Sequence, residues 1–234
     1  MVQLSWRQPP LTPAQADDLF MLVLEDDAED APWMVMGDLQ FWAASGFAHS
    51  LRMYARRHGL GWYVASMLPI EYDWPNVARK KVLAPDTFVA FVADHPRPSF
   101  DAAAEGGFPP FVVEVVSPSS RARDEEEKRH AYELLGVREY ALFTPRQAGT
   151  ATLAGYRRGA SGGFEPWPPD AEGRLWSAAL GLFLAARGPL LGALTADGRP
   201  LPTPEEADAA RRLAEAEVER LRREVERLRH PDAG

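Results

Sequence analysis

The run at residues 111–116 constrains the fold more than any other part of the chain, because it places one acid among five apolar residues. Apolar side chains at both alternating positions predict a strand that is buried on both faces of a sheet. A buried carboxylate costs free energy unless it is paired with a cation, protonated or bound to a metal. The acid, Glu114, is therefore a candidate functional residue, although a surface or salt-bridge role is the common one for a glutamate in a strand.

A helix is predicted over residues 124–135, with acids in its first turn and Gly136 as a left-handed C-cap. We interpret Asp124 as the N-cap and Glu127 as its partner in a reciprocal capping box. Lys128 precedes apolar residues at helical spacing, namely Ala131, Tyr132 and Leu135. That face should pack on the sheet, so Lys128 points inward. Snorkelling of its ammonium past the edge of the core is the alternative.

A third polar residue, Asp86, follows Pro85 at the mouth of a predicted strand. Pro-Asp is a common turn pair, so on its own this position is weak evidence of a site. Its value comes from its combination with Glu114 and Lys128.

Alternating strand and helix patterns define the rest of the main domain. Capping residues predict a short N-terminal helix that begins at Thr12, and apolar spacing predicts a second helix over residues 38–58. Runs rich in β-branched and aromatic residues predict strands at residues 62–68, 87–93, 111–116, 139–143, 151–156, 181–185 and 190–194. Helices on either side of a mixed sheet predict an α/β or α+β domain.

The last segment is predicted to be one long helix. Thr203 and Glu206 form a predicted capping box at its start, and it runs to about Arg229. In a heptad register the a positions hold Val218 and Val225, and the d positions hold Ala214, Leu221 and Leu228. Valine at a with leucine at d favours a parallel two-stranded coiled coil. We therefore expect two domains, residues 1–202 and the helix at residues 203–234.

The charges that flank this apolar stripe agree with a dimer. Glu217 and Glu224 fall at g positions while Arg222 and Arg229 fall at e, so each glutamate can meet an arginine of a partner chain. Arg211, however, falls at an a position. Homodimerisation through this helix is the expectation, and a helix folded back on its own domain is the alternative.

Composition excludes several classes of protein. The chain has no cysteine, which rules out disulfides and thiolate zinc sites and fits a reducing compartment, so we expect a cytoplasmic protein. No leader pattern and no run of roughly 18 apolar residues predicts secretion or membrane insertion. The formal net charge of -8 argues against a protein that coats nucleic acid non-specifically, but not against an enzyme that binds DNA locally.

Several of these residues together resemble a known family. They are Pro85-Asp86, Glu114-Val115-Val116-Ser117-Pro118-Ser119, Asp124, Lys128, Tyr132, Gly136-Val137 and Glu139-Tyr140. The set resembles the Uma-two family of bacterial restriction-endonuclease-like proteins, a branch of the PD-(D/E)XK nuclease superfamily. The resemblance spans about residues 33–203. It implies a restriction-endonuclease-like core, with a mixed central sheet flanked by helices and the acids on adjacent central strands.

The resemblance also implies a catalytic site. Asp86 and Glu114 match the two acids of the signature, but Val116 stands where the signature has a lysine. In similar proteins a lysine of the following helix takes that role, and Lys128 is the matching residue. Asp86, Glu114 and the backbone carbonyl of Val115 are hard oxygen ligands suited to Mg²⁺ or Mn²⁺.

Three further residues are weaker candidates. Asp38 is a candidate additional acid near the metal, with a helix cap as the alternative. Arg121 and Arg123 are candidate phosphate contacts, with solvated loop arginines as the alternative. The expected function is metal-dependent hydrolysis of phosphodiester bonds in nucleic acid, DNA in the first place. The competing hypothesis is a catalytically inactive dimeric binding or scaffold protein on the same fold.

Overall fold

The computed structural model describes residues 37–73, 79–117, 123–146 and 151–229, and for Arg123 the backbone alone. The helix predicted from Thr12 lies outside these residues. Within them the chain forms three α-helices, one π-helical turn and twelve β-strands. The helices are α1 (Asp38–His58), α2 (Arg129–Leu134), which directly continues the π-helical turn (Arg123–Lys128), and α3 (Pro204–Arg229).

Helix α1 has the bounds that its apolar spacing predicts. Phe47, Leu51 and Ala55 recur at helical spacing and are buried, so this face packs on the sheet. The helix ends at Gly59, whose φ of 63° lies in the left-handed region that glycine adopts without steric cost.

The central sheet has six strands in the order β1-β4-β6-β7-β8-β9. Their bounds are β1 (Tyr63–Ser66), β4 (Thr87–Ala90), β6 (Phe111–Val115), β7 (Glu139–Thr144), β8 (Thr152–Arg158) and β9 (Phe164–Pro166). Strands β6 and β7 are parallel and the other neighbours are antiparallel, so the sheet is mixed. The predicted α+β fold class with a mixed central sheet flanked by helices is confirmed.

Two three-stranded sheets complete the described part of the main domain. One has the order β3 (Lys81–Leu83), β2 (Ile70–Tyr72), β5 (Phe100–Asp101), and the other has the order β10 (Leu175–Ser177), β11 (Leu182–Arg187), β12 (Leu190–Thr195). Strands β2, β3, β5, β9 and β10 were not predicted. Each has two or three residues, which is too short for the alternation of apolar and polar side chains to show.

The two faces of the central sheet pack into different clusters. Val112 lies with Tyr132 and Tyr140 on one face, and Val113 lies with Phe47 on the other. All five residues of β6 are buried, as the apolar run predicts. Because side chains alternate along a strand, Glu114 projects to the same face as Val112, which is the face that also buries Tyr132 of α2.

The chain divides into two compact units, one ending at Leu201 and the other beginning at Pro202. The second unit contains α3, which begins with the predicted capping box. The Thr203 backbone N–H donates to Glu206 Oε2 at 2.8 Å, and the Glu206 N–H donates to Thr203 Oγ1 at 3.2 Å. Across the residues described, no helix combines the length and apolar character needed to cross a bilayer.

Candidate active site

Glu114 lies in the middle of β6 with 1% of its surface exposed. Both of its carboxyl oxygens have partners from the helical segment above the sheet. The Tyr132 hydroxyl donates to Oε1 at 2.7 Å, and the Lys128 ammonium lies 3.2 Å from Oε2. The buried acid is therefore paired, which is one of the three states that its burial requires.

Asp86 is brought to Glu114 by the antiparallel pairing of β4 with β6, in which Thr87 lies opposite Val113. The backbone N–H of Asp86 lies 3.4 Å from Glu114 Oε2. In the other direction, the backbone N–H of Val115 donates to Asp86 Oδ2 at 2.6 Å. The two acids thus lie side by side, although 28 positions separate them along the chain.

Lys128 ends the π-helical turn and extends into the core rather than out to solvent. Its side chain is 12% exposed, and its ammonium lies between Glu114 Oε2 at 3.2 Å and Asp124 Oδ1 at 3.0 Å. The structure therefore brings together Asp86, Glu114 and Lys128, the three residues of the expected catalytic set. The π-helical turn directly precedes α2, and π-helical geometry is frequent at functional sites.

Asp124 does not act as the predicted N-cap, and that interpretation is wrong. It lies within the π-helical turn rather than ahead of it, and its buried carboxylate forms the ion pair with Lys128. The Tyr140 hydroxyl donates to its backbone carbonyl at 2.8 Å. The signal for this role was present in the sequence, because Asp124 precedes Lys128 by four residues and so shares its inward face.

Three buried carboxylates therefore lie in one cluster with Lys128, whose ammonium contacts Glu114 and Asp124. Burial raises the pKa of Glu114 to about 8, with Lys128 opposing and the two other acids reinforcing the rise. Burial also raises the pKa of Asp86, while the Val115 N–H and Lys128 lower it. For Lys128 burial lowers the pKa, but the attraction of Glu114 and Asp124 outweighs it, so the pKa lies above its ordinary value.

This charge balance fits a divalent cation. With all three carboxylates ionised and Lys128 protonated, the cluster would have a formal charge of two negatives, which a bound divalent cation would offset. Carboxylate oxygens are the ligands that Mg²⁺ and Mn²⁺ prefer. Among the described residues, however, no group of three or more His, Asp or Glu side chains is placed to hold an ion. An ion at this site would take two carboxylates, with other oxygens completing its coordination.

The remaining predicted residues lie as follows. The carbonyl of Val115 accepts a hydrogen bond from Gln40 Nε2 at 3.3 Å, so the first turn of α1 reaches the site through Gln40. Asp38 lies in the same turn and is exposed, and none of the contacts between described residues joins it to Asp86 or Glu114. Arg121 lies outside the described residues, as does the side chain of Arg123.

Sequence analysis missed Tyr132 and Gln40 as members of the site. Tyr132 was assigned to the packing face of its helix, and the pattern that buries a ring does not indicate where its hydroxyl donates. Gln40 contacts a carbonyl that lies 75 positions away, which local spacing does not encode.

The sequence matches a known protein family. The family model Uma2, described as "Putative restriction endonuclease", matches residues 32–186. The matched segment contains the whole six-stranded sheet and every residue of the site described above. No curated protein matches the chain.

Proposed function

This chain belongs to the Uma2 family, and on that premise we propose that it is a metal-dependent nuclease that hydrolyses phosphodiester bonds in DNA. The observation that carries the proposal is the meeting of Asp86, Glu114 and Lys128 in one buried cluster. Two acids can hold a divalent ion, and a nearby lysine can offset charge that develops on the phosphate. A cytoplasmic location, suggested by the absence of cysteine, belongs to the same proposal.

Asp86 and Glu114 would hold the ion, Mg²⁺ or Mn²⁺, together with the Val115 carbonyl. When bound, the ion would act as a Lewis acid that lowers the pKa of a bound water and offsets charge on the scissile phosphate. The chain itself orients both acids: the Val115 N–H fixes one oxygen of Asp86, and the Tyr132 hydroxyl fixes one oxygen of Glu114. The other oxygen of Glu114, Oε2, contacts the Lys128 ammonium and the Asp86 N–H, and it is the oxygen that would bind the ion.

Lys128 would stabilise negative charge that develops on the phosphate, or orient the attacking water. An ammonium suits this role only while it is protonated, and the two neighbouring carboxylates raise its pKa above the ordinary value. Lys128 therefore stays charged at neutral pH.

The test is a cleavage assay with plasmid and single-stranded DNA in the presence of Mn²⁺. We expect the parent chain to cut and Asp86→Ala to lose that activity. Asp94→Ala is the matched control, because it removes an acid whose ion pair with Arg56 lies on the surface, and it should cut as the parent does. Cleavage by Asp86→Ala at the parent rate would end the proposal.

A second candidate function is a binding or scaffold protein that retains the fold without turnover. Val116 in the signature lysine position and the net charge of -8 favour it. Calorimetry with Mg²⁺ and Mn²⁺ separates the two functions. Binding heats that vanish in both Asp86→Ala and Glu114→Gln support the nuclease, whereas a parent chain that binds neither ion supports the scaffold.

We also propose that the chain forms a homodimer through α3, as a parallel coiled coil. The large apolar residues at the a and d positions are all exposed in the single chain: Val218, Leu221, Val225 and Leu228. Within the described residues of α3, Arg222 and Arg229 are the arginines without an ion pair along their own helix. Both occupy e positions, where Glu217 and Glu224 of a second chain would meet them.

Molar mass in solution tests the dimer. We expect light scattering to give twice the chain mass for the parent and one chain mass for Leu221→Glu. Leu213 is equally apolar and exposed but lies at a c position, outside the seam, so Leu213→Glu should remain dimeric. A parent chain that stays monomeric at micromolar concentration would contradict the proposal.

A further inference from the structure

Lys128 is held by two carboxylates, and the second of them, Asp124, has no place among the expected metal ligands. The ammonium lies 3.2 Å from Glu114 Oε2 and 3.0 Å from Asp124 Oδ1. Asp124 is 2% exposed, so water does not solvate its charge. A carboxylate in that environment is stable only through its cation, which ties Asp124 to Lys128.

The oxygen of Glu114 that contacts Lys128 is also the oxygen left for a metal. The Tyr132 hydroxyl occupies Oε1, whereas Oε2 contacts the ammonium. A divalent cation and an ammonium on the same carboxylate oxygen would repel each other strongly in a buried site. Binding of the ion therefore has to release Lys128 from Glu114.

A released ammonium would be costly in this site unless another anion held it. Asp124 supplies that anion from within the same π-helical turn, four residues before the lysine. The turn itself is fixed at this point, because the Tyr140 hydroxyl donates to the Asp124 carbonyl. The lysine can thus leave Glu114 without leaving the site.

We propose that Asp124 is the positioning residue for Lys128, which keeps the ammonium at the edge of the site when a divalent ion replaces it on Glu114. The inference rests on the metal site of the proposed function and extends it to an acid that does not bind the metal. Asp124 then acts on metal binding mainly through Lys128, beyond the through-space attraction of its charge for the ion.

A double-mutant cycle in Mn²⁺ affinity tests this, with calorimetry on the full chain. We expect Asp124→Asn to weaken Mn²⁺ binding at least about tenfold, because binding of the ion then leaves the buried Lys128 ammonium without a carboxylate partner. In a Lys128→Met background the same change should weaken binding by about threefold or less, since no ammonium needs a partner and only the through-space attraction of the charge is lost. Asp101→Asn, which removes the exposed acid paired with Lys80, is the matched control and should bind as the parent does.

Equal weakening in the two backgrounds would overturn the inference, because Asp124 would then act as a ligand or as a through-space charge. That result leaves the proposed function intact, since the parent still binds the ion. A parent chain that binds no Mn²⁺ would overturn both this inference and the proposed function.

A crystal of the parent chain soaked in Mn²⁺ gives a second measurement that needs no variant to fold. We expect the ion on Glu114 and the Lys128 ammonium still within ion-pair distance of Asp124. An ion coordinated by Asp124, or an ammonium that remains on Glu114 beside the ion, would contradict the inference.

Discussion

Two acid–base pairs in this chain share one spacing and lie in opposite environments. Asp124 and Lys128 are four residues apart, their charged atoms lie 3.0 Å from each other, and their side chains are 2% and 12% exposed. Asp208 and Arg212 of α3 are also four residues apart, at 2.8 Å, but 40% and 73% exposed. The same local pattern thus gives a buried site in the main domain and a solvated pair in the C-terminal helix.

The difference between the two pairs shows how burial changes the contribution of an ion pair to stability. In water both ions keep their hydration, so an exposed pair contributes about 1 kcal/mol at most. In a buried cluster the removal of one ion leaves its partner charged and unsolvated, which lowers the unfolding free energy by about 3–5 kcal/mol. A buried pair therefore fixes the position of each group, which is what a catalytic site requires.

Removing the cation of each pair gives the largest expected contrast. Lys128→Met leaves the buried carboxylate of Asp124 without its ammonium, so we expect the free energy of unfolding to fall by about 3–5 kcal/mol. Arg212→Met should lower it by less than about 1 kcal/mol, because Asp208 stays in water. Urea unfolding of the metal-free variants at neutral pH measures both. Equal losses of unfolding free energy in the two variants would contradict the claim that burial sets the effect of each pair.

A smaller effect is expected from Tyr132→Phe. The variant keeps the buried ring but leaves Glu114 Oε1 without its donor, which should cost about 1–3 kcal/mol of unfolding free energy. The control is Tyr156→Phe, because the Tyr156 ring stacks on Phe164 while its hydroxyl has no partner among the described residues. It should change stability by less than about 0.5 kcal/mol. A loss as large in the control would mean that the Tyr132 hydroxyl does not orient Glu114.

The pH dependence of stability sharpens the comparison further. Burial raises the pKa of Glu114 from its ordinary 4.5 to about 8, so the folded chain keeps a proton that the unfolded chain releases. Stability of the metal-free protein should therefore fall as the pH rises through this window. Glu114 should contribute at most about 1.4 kcal/mol per pH unit to this slope.

Unfolding measured in chelator across this pH range provides the check on that slope. Glu114→Gln should flatten it, because the amide does not titrate. A parent chain that gains stability relative to Glu114→Gln as the pH rises would show that the carboxyl group is ionised in the fold.

The smallest effect is expected at the exposed acid of the second pair. Asp208→Asn should cost less than about 0.5 kcal/mol, and high salt should abolish that loss because it screens exposed charges. The loss in Asp124→Asn should persist at the same salt concentration, since water does not reach the buried pair. Unfolding at low and high ionic strength measures both variants, and a salt-sensitive loss at Asp124 would contradict the assigned burial.

Local pattern was enough to predict most of the fold. The bounds of α1, the capping box of α3 and the burial of β6 all follow from spacing within a few residues, and the structure confirms them. The five shortest strands were missed because two or three residues show no periodicity. The family resemblance, now shown by the match over residues 32–186, implied that Asp86 and Glu114 lie on adjacent strands. Glu114 lies on β6, and Asp86 directly precedes β4.

By itself the sequence determined where the helices and the longer strands lie and that Glu114 would be buried, because these follow from the order of apolar and polar residues. Only the tertiary structure decided which groups meet. The pairing of β4 with β6 brings Asp86 to Glu114, and α1 brings Gln40 to the Val115 carbonyl. These contacts join residues 28 and 75 positions apart, and strand register and helix packing set them, not local spacing.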